Sequence, residues 1–408
     1  MNDWDEDIEF YKSMYSKKKP YSVHQHWDPL KVCAVGRSYP PEFYSYIDNA
    51  KVRTQFEQIA QETEEDYQSL IKILQSFNVE VVRTEVYDDF DRYLAMPNSK
   101  KPKYRNPMMM TPRDWCTMIG NKFYAPKTDM SQHIWTTVRG PEWPILYPGW
   151  NKLEDWIQKE LVELHGLCQN DFSIARYWFG HEHILKKVQD QNNVIQHTQG
   201  EINSAMMTRV GKDLYWGTED LRVWAEESKL ELLKRRNSQF PEYRNHIVDS
   251  QGHADGVYCP VKPGLIVSLI GIQQYNKTFP DWEVVYLPNQ SWGKVLPFME
   301  HKNKVNGKWW VPGAELNDDF TEYVESWMSH WVGYVEESVF DVNMLVIDEQ
   351  NVICNNENDA VFRAFEKHGI TPHVCNFRHR YFWDGGIHCI TQDLHREGEQ
   401  KDYFPNRG

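Results

Sequence analysis

The stretch EEDYQSLIKILQSFNVEVVRT, Glu64–Thr84, changes its hydrophobic period within one short segment. Tyr67, Leu70, Ile71, Leu74 and Phe77 form one helical stripe, and the strand-like VEVVRT follows almost at once. The same order returns in DAVFRAFEKHGITPHVCNF, Asp359–Phe377: Phe362 and Phe365 share a helical face, Gly369 suits the helix C-terminus, and an extended run follows. Other strand-like runs are KVCAV around Cys33, WCTMI around Cys116, DLYW around Tyr215, GLIVSL around Ile266, WEVVYL around Val284 and NMLVID around Leu345. Helix and strand alternating through short connections predict a layered α/β fold, the doubly wound class included.

No G-x-G-x-x-G opens a helix after a strand and no G-x-x-x-x-G-K-[ST] is present, which disfavours dinucleotide and P-loop sites. No low-complexity linker divides residues 1–408, so a single domain is expected. The polar, Trp-rich region at about 287–337 reads as an inserted loop or lid, or equally as a surface elaboration that only packs or dimerises.

Acidic residues outnumber basic ones by 59 to 45, a formal charge of −14, which argues against nucleic acid and anionic membrane as partners. The acidic start MNDWDEDIEF is unlike a signal peptide, and the longest apolar run, GLIVSLIGI, is too short to span a bilayer. The seven cysteines (Cys33, Cys116, Cys168, Cys259, Cys354, Cys375, Cys389) are dispersed, without a C-x-x-C pair. That pattern suits reduced thiols in a cytoplasmic, soluble protein, and for all but Cys389 the expected role is a small buried hydrophobe.

Three stretches join turn-forming residues to reactive side chains: MTPRDWCTMIGNKFYAP with Asp114, SQGHADGVYCP with His253 and Asp255, and DGGIHC with Cys389. Each is a weak signal alone. In order along the chain, HWDPLKVCAVG, TPRDWCTMIGNKFYAP, GHADGVYCPVKPGLIV, NMLVIDEQNVI with FEKHGIT, and GGIHCITQDLHREG resemble the amidinotransferase family of guanidino-group-modifying enzymes. The resemblance implies a five-bladed pseudo-symmetric α/β propeller of ββαβ units around a central active site. It implies a one-carbon-group transferase that moves an amidino group from arginine, or an arginine-like guanidine, to an amine.

Such a reaction asks for carboxylates that grip a planar guanidinium and a soft nucleophile for its carbon. Asp114 and Asp255 suit the grip, and Cys389 suits attack as thiolate, with its pKa lowered by the bound cation and His253. His253 then serves as acid and base, through an S-amidino-cysteine intermediate. In a strand, H-x-D spacing would put His253 and Asp255 on one face, and His388 would face away from Cys389 as a structural residue. Gly385 and Gly386 would let the backbone approach substrate closely. The expected partners are a small guanidine donor and an amine acceptor, with a homodimer as the assembly to test; no metal or organic cofactor is expected.

The chain departs from the family pattern in INSAMMTRVGKD, where Asn203 and Met206 stand at the two usual carboxylate positions while Arg209, Gly211 and Asp213 are retained. Glu201 is the candidate replacement. GLIVSLIGIQQYNKTF offers no arginine for an α-carboxylate, and Glu336 and Glu337 stand near the family's serine positions. Two carboxylates there would repel an α-carboxylate and favour a substrate carrying an amine or guanidine at that end, with Trp residues available for cation–π contact. The rival readings are a guanidine hydrolase or deiminase of the same superfamily, an inert guanidine- or amine-binding homologue, and a papain-type protease, for which the C-G-[SA]-C-[WY] signature is absent.

Overall fold

The computed structural model describes residues 18–84, 110–126, 134–136, 145–147, 182–198, 202–218, 228–287 and 296–407, less residues 115, 273, 274, 328–331, 334, 336 and 384. Its strands in chain order are β1 (Leu30–Val35), β2 (Glu80–Arg83), β3 (Thr117–Ile119), β4 (Lys122–Pro126), β5 (Ile134–Thr136), β6 (Ile145–Tyr147), β7 (Val194–Thr198), β8 (Met207–Val210), β9 (Asp213–Gly217), β10 (Arg244–Val248), β11 (Tyr258–Lys262), β12 (Leu265–Leu269), β13 (Glu283–Leu287), β14 (Leu345–Asp348), β15 (Asn351–Cys354), β16 (Thr371–Val374) and β17 (Thr391–Arg396).

Among the described residues these make five three-stranded sheets and the two-stranded ribbon β5–β6. Every three-stranded sheet obeys one rule: an antiparallel pair, then a third strand parallel to the second. The sheets are β3-β4-β7, β8-β9-β10, β11-β12-β13, β14-β15-β16 and β17-β1-β2. Parallel neighbours need a crossover connection. Helices Ala50–Ser76, Glu182–Gln189, Lys229–Gln239, Tyr275–Thr278 and Asp359–Lys367 lie in the five crossovers. The repeating ββαβ unit is therefore present throughout, and in one sheet it is assembled from both ends of the chain, with Leu30 opposite Arg396 and Val35 opposite Thr391.

Local signals explain the helix bounds. Ala50–Ser76 starts well before the stripe at Tyr67 because Asn49 caps it, its side chain accepting from the backbone N–H groups of Lys51 and Val52. Asn358 caps Asp359–Lys367 in the same way, and Gly369 beyond its end takes the left-handed φ of 67°. Tyr67, Leu70 and Leu74 are fully buried.

Burial falls across each sheet. First strands such as β8 and β3 are buried throughout, whereas the third strands β2, β7 and β16 are largely half-buried or exposed. Apolar contacts then join one sheet to the next. Val32 and Leu394 pack with Met118 and Phe123, Ile119 and Tyr124 with Met207 and Trp216, and Val210 and Tyr215 with the β11–β12 and β14–β15 pairs. Leu345 and Ile353 return to Leu30 and Val35 of the first sheet. The described part of the Trp-rich region carries helices Leu296–His301 and Asp318–Trp327 and packs Trp309 against Phe320 and Phe382, beside the start of Ala50–Ser76.

Candidate active site

Three short turns, each beside the first strand of a different sheet, meet. Pro112–Asp114 is a single turn leading to β3, Ala254–Gly256 is one leading to β11, and residues 387–390 form the turn entering β17. The segment 203–206 ties the first two together. Ser204 N–H donates to the Arg113 carbonyl at 3.0 Å, while Ala254 and Asp255 N–H both donate to the Ala205 carbonyl, at 2.7 and 3.2 Å. Arg113 Nε then donates to the His388 carbonyl at 2.7 Å and brings in the third turn.

Cys389 and His388 meet at one carboxylate. The Cys389 Sγ–H donates to Asp255 Oδ2 at 3.3 Å, and His388 Nδ1 donates to the same oxygen at 2.8 Å. Asp255 Oδ1 is buried and has no hydrogen-bond partner among the described residues. On its other side the sulfur accepts a hydrogen bond from Asn343 Nδ2 at 3.0 Å.

Burial, followed by the carboxylates of Asp255 and Asp114, raises the Cys389 thiol well above its ordinary pKa, so the resting sulfur is protonated. The expected lowering of the thiol pKa is thus not a property of the resting site. Burial and the Arg113 charge push His388 down to about 4 against the pull of Asp255, leaving a neutral imidazole. Burial raises Asp255, but the His388 hydrogen bond and the charges around it outweigh that, and the carboxyl titrates below its ordinary value.

Two geometrical premises drawn from the sequence are corrected. His253 and Asp255 do not lie in a strand on one face: His253 caps the 254–256 turn and is exposed, while Asp255 points inward. His253 Nδ1 lies 3.8 Å from Asp114 Oδ1, and its charge acts on Asp255. His388 does not face away from Cys389, because residues 387–390 are a turn and β17 begins only at Thr391. Both side chains consequently reach Asp255.

Gly386 also has a different reason for being glycine: a Cβ there would overlap the Asn343 amide, so its close neighbour is a side chain of the protein. Asn203 is buried and its Oδ1 accepts from Met206 N–H at 3.0 Å; Met206 is buried too. Glu201 and Glu336 lie outside the described residues, and Glu337 opens helix Glu337–Val342, of which only the backbone is described at that position. Sequence reasoning gave Asn343 no role, although it is the first residue of the NMLVID strand signal, and it missed the pairing of His388 with Asp255.

A second buried carboxylate lies just beyond the turn. Asp393 on β17 accepts two hydrogen bonds from Arg209 Nη2, both at 2.8 Å, one from Arg396 Nε at 2.7 Å and one from Arg113 Nη1 at 3.3 Å. Burial raises this carboxyl, but the three guanidiniums together hold it well below the carboxylate range. All four side chains are essentially inaccessible. Among the described residues no group of three or more His, Cys, Asp or Glu is placed to hold a metal ion, and no helix is long and apolar enough to cross a membrane.

No protein-family model matches the chain. Among curated proteins it is 22% identical over 218 residues to the L-arginine:L-lysine amidinotransferase of Pseudomonas savastanoi pv. phaseolicola, covering 52% of this chain and 49% of that protein. It is 21% identical over 417 residues to the mitochondrial glycine amidinotransferase of Xenopus laevis, covering 94% of this chain and 85% of that one. The chain thus spans about half of the first relative and most of the second. Among solved structures, an amidinotransferase from Microseira wollei in the saxitoxin biosynthetic pathway superposes with a TM-score of 0.56 at 17% identity, over 94% of this chain and 100% of that one. The inosamine-phosphate amidinotransferase of Streptomyces griseus gives 0.54 at 16%, over 94% and 99%. The resemblance to amidinotransferases therefore extends from sequence to fold.

Proposed function

We propose that this chain is an amidinotransferase working through an S-amidino-cysteine at Cys389, and that its five ββαβ units are the blades of a propeller whose central end holds the site. The observation that carries the reading is the thiol of Cys389 beside a buried carboxylate, Asp255, whose second oxygen has no partner among the described residues, in a fold shared with amidinotransferases. A guanidinium donating to Asp255 and Asp114 would place its carbon near the sulfur and bring the positive charge that the resting site lacks.

The step balances without a metal or organic cofactor. As the sulfur attacks the guanidino carbon, the C–N bond to the donor's amine breaks, and the thiol proton is relayed through His253 to the departing nitrogen. The enzyme is left as an S-amidino-cysteine carrying the positive charge. An amine acceptor then attacks that carbon, the C–S bond breaks, and the acceptor's proton returns to the sulfur by the same route. Glu336 and Glu337 would favour an amine or guanidine at the far end of a substrate, and the Trp-rich region at 287–337 would serve as the lid. Reduced thiols fit a cytoplasmic setting, and six cysteines among the described residues are unpaired.

The test is incubation with guanidino-labelled arginine or agmatine and a panel of amines, with intact-mass analysis. A labelled adduct of one amidino group on the wild type, absent from Cys389→Ser, together with labelled guanidines derived from the amines, is the expected result. Turnover by Cys389→Ser should fall by at least about 10⁴-fold. A ureido product in place of a new guanidine would make the chain a hydrolase. Neither adduct nor product with any guanidine would leave a binding protein.

A further inference from the structure

We propose that Asn343 is the positioning residue of Cys389: one side-chain amide fixes the turn that carries the thiol, ties it to Asp255, and gives the sulfur a fixed hydrogen-bond donor. The inference rests on the reading of Cys389 as nucleophile and adds a residue to it.

The backbone of Asn343 is anchored at both ends. Its N–H donates to the Val339 carbonyl at 3.1 Å, and its carbonyl accepts from Asn355 Nδ2 at 2.7 Å. Asn355 Oδ1 in turn accepts from Ile387 N–H at 3.0 Å, so the start of the 387–390 turn hangs from the same structure. The Asn343 side chain is buried, and both of its ends are used. Oδ1 accepts from the backbone N–H groups of His388 and Cys389, at 2.9 and 3.1 Å.

Those two donors settle which way the amide lies, since only an oxygen can meet two N–H groups. Nδ2 must face the other way, where it donates to the Asp255 carbonyl at 3.2 Å and to Cys389 Sγ at 3.0 Å. Gly386 makes the arrangement accessible, because any side chain at that position would displace the amide. The sulfur therefore sits between a donor that cannot turn away and an acceptor, Asp255 Oδ2. Its own hydrogen is directed to the carboxylate, and the charge that remains when the hydrogen leaves is met by Asn343.

The charged groups acting on the sulfur are the Asp255 and Asp114 carboxylates, which both oppose thiolate, while neutral His388 shares Asp255 and Arg113 bonds the His388 carbonyl. Asn343 acts against the two carboxylates. Its removal should be read directly in thiol reactivity, with no substrate present.

The experiment follows carboxamidomethylation of Cys389 by iodoacetamide against pH, by peptide mass, in the full chain. Relative to wild type, Asn343→Ala should react about tenfold more slowly near neutral pH, with its midpoint about one unit higher. Asn343→Asp should be slower still, since a third carboxylate replaces the donor. Profiles that overlay the wild type overturn the proposal while leaving Cys389 as nucleophile. Slow alkylation of wild-type Cys389 is what the raised resting thiol predicts, and the absence of an amidino adduct at Cys389 with every guanidine tried sinks both. Should the variants not fold, wild-type protein with ¹⁵N-labelled asparagine gives the answer. One side-chain amide must follow the thiol titration and shift in Cys389→Ser, and its absence overturns the proposal.

Discussion

Asp393 and Asp255 are both buried carboxylates, tied together through Arg113 and His388, yet their surroundings are opposite. Asp393 is gripped by three guanidiniums of the protein itself, from Arg113 in the turn before β3, Arg209 on β8 and Arg396 three residues on in β17, which meet at one point. Asp255 has a neutral imidazole and a thiol on one oxygen and nothing among the described residues on the other. The first pair of oxygens is closed by internal cations and holds the fold together. The second keeps one oxygen without a partner among the described residues, and under the proposed function a guanidinium would take the place that the protein's own arginines take at Asp393.

If that contrast is right, the two carboxylates should fail differently when each loses its charge. Asp393→Asn strands three buried guanidiniums and should cost about 3–5 kcal/mol, measured by urea unfolding. A cost below about 1 kcal/mol would mean that Asp393 is no more structural than Asp255.

Acid sharpens the comparison. His388 titrates at about 4 in the folded protein against about 6.5 when unfolded, so the unfolded chain binds a proton that the folded chain refuses. Stability should decline as pH falls from about 6.5 towards 4, by at most about 3 kcal/mol from this group. Asp393, held well below the usual range, loses its contribution only in stronger acid. An unfolding midpoint that does not move between pH 7 and 5 would contradict the neutral His388. The smallest effect is expected of Asp255→Asn. The amide oxygen can still accept from His388, and with one opposing charge gone Cys389 should alkylate roughly tenfold faster at neutral pH. A slower reaction would show that Asp255 helps to ionise the sulfur.

The α/β alternation was legible because helix and strand periods are local: the stripe from Tyr67 to Leu74 and the run VEVVRT needed no partner to be recognised. The ends were less so. Ala50–Ser76 begins 14 residues before Glu64, where Asn49 caps it, and the apolar stripe alone does not mark that start. At the site, Asp114, Asp255 and Cys389 were named from motifs, and the side-chain directions assigned to His253 and His388 failed for one shared reason. Period-two alternation was applied to HAD and HC, but both segments are turns, where adjacent side chains do not alternate.

What the sequence determined by itself is the alternation of helix and strand and the inventory of reactive groups, because periodicity and motif residues are carried by neighbours in the chain. Tertiary structure alone decided the rest. Whether Asp255 is an internal ion pair or an open one depends on where Arg113 and Arg209 arrive from distant parts of the chain and which way Arg396 turns on β17, and all three meet Asp393. Whether Cys389 meets a donor depends on Asn343, which lies 46 residues away in sequence and reaches the sulfur through an amide oriented by two backbone N–H groups. A hydrogen bond or a buried charge is worth what its surroundings leave unsatisfied, and no stretch of chain read alone contains that information.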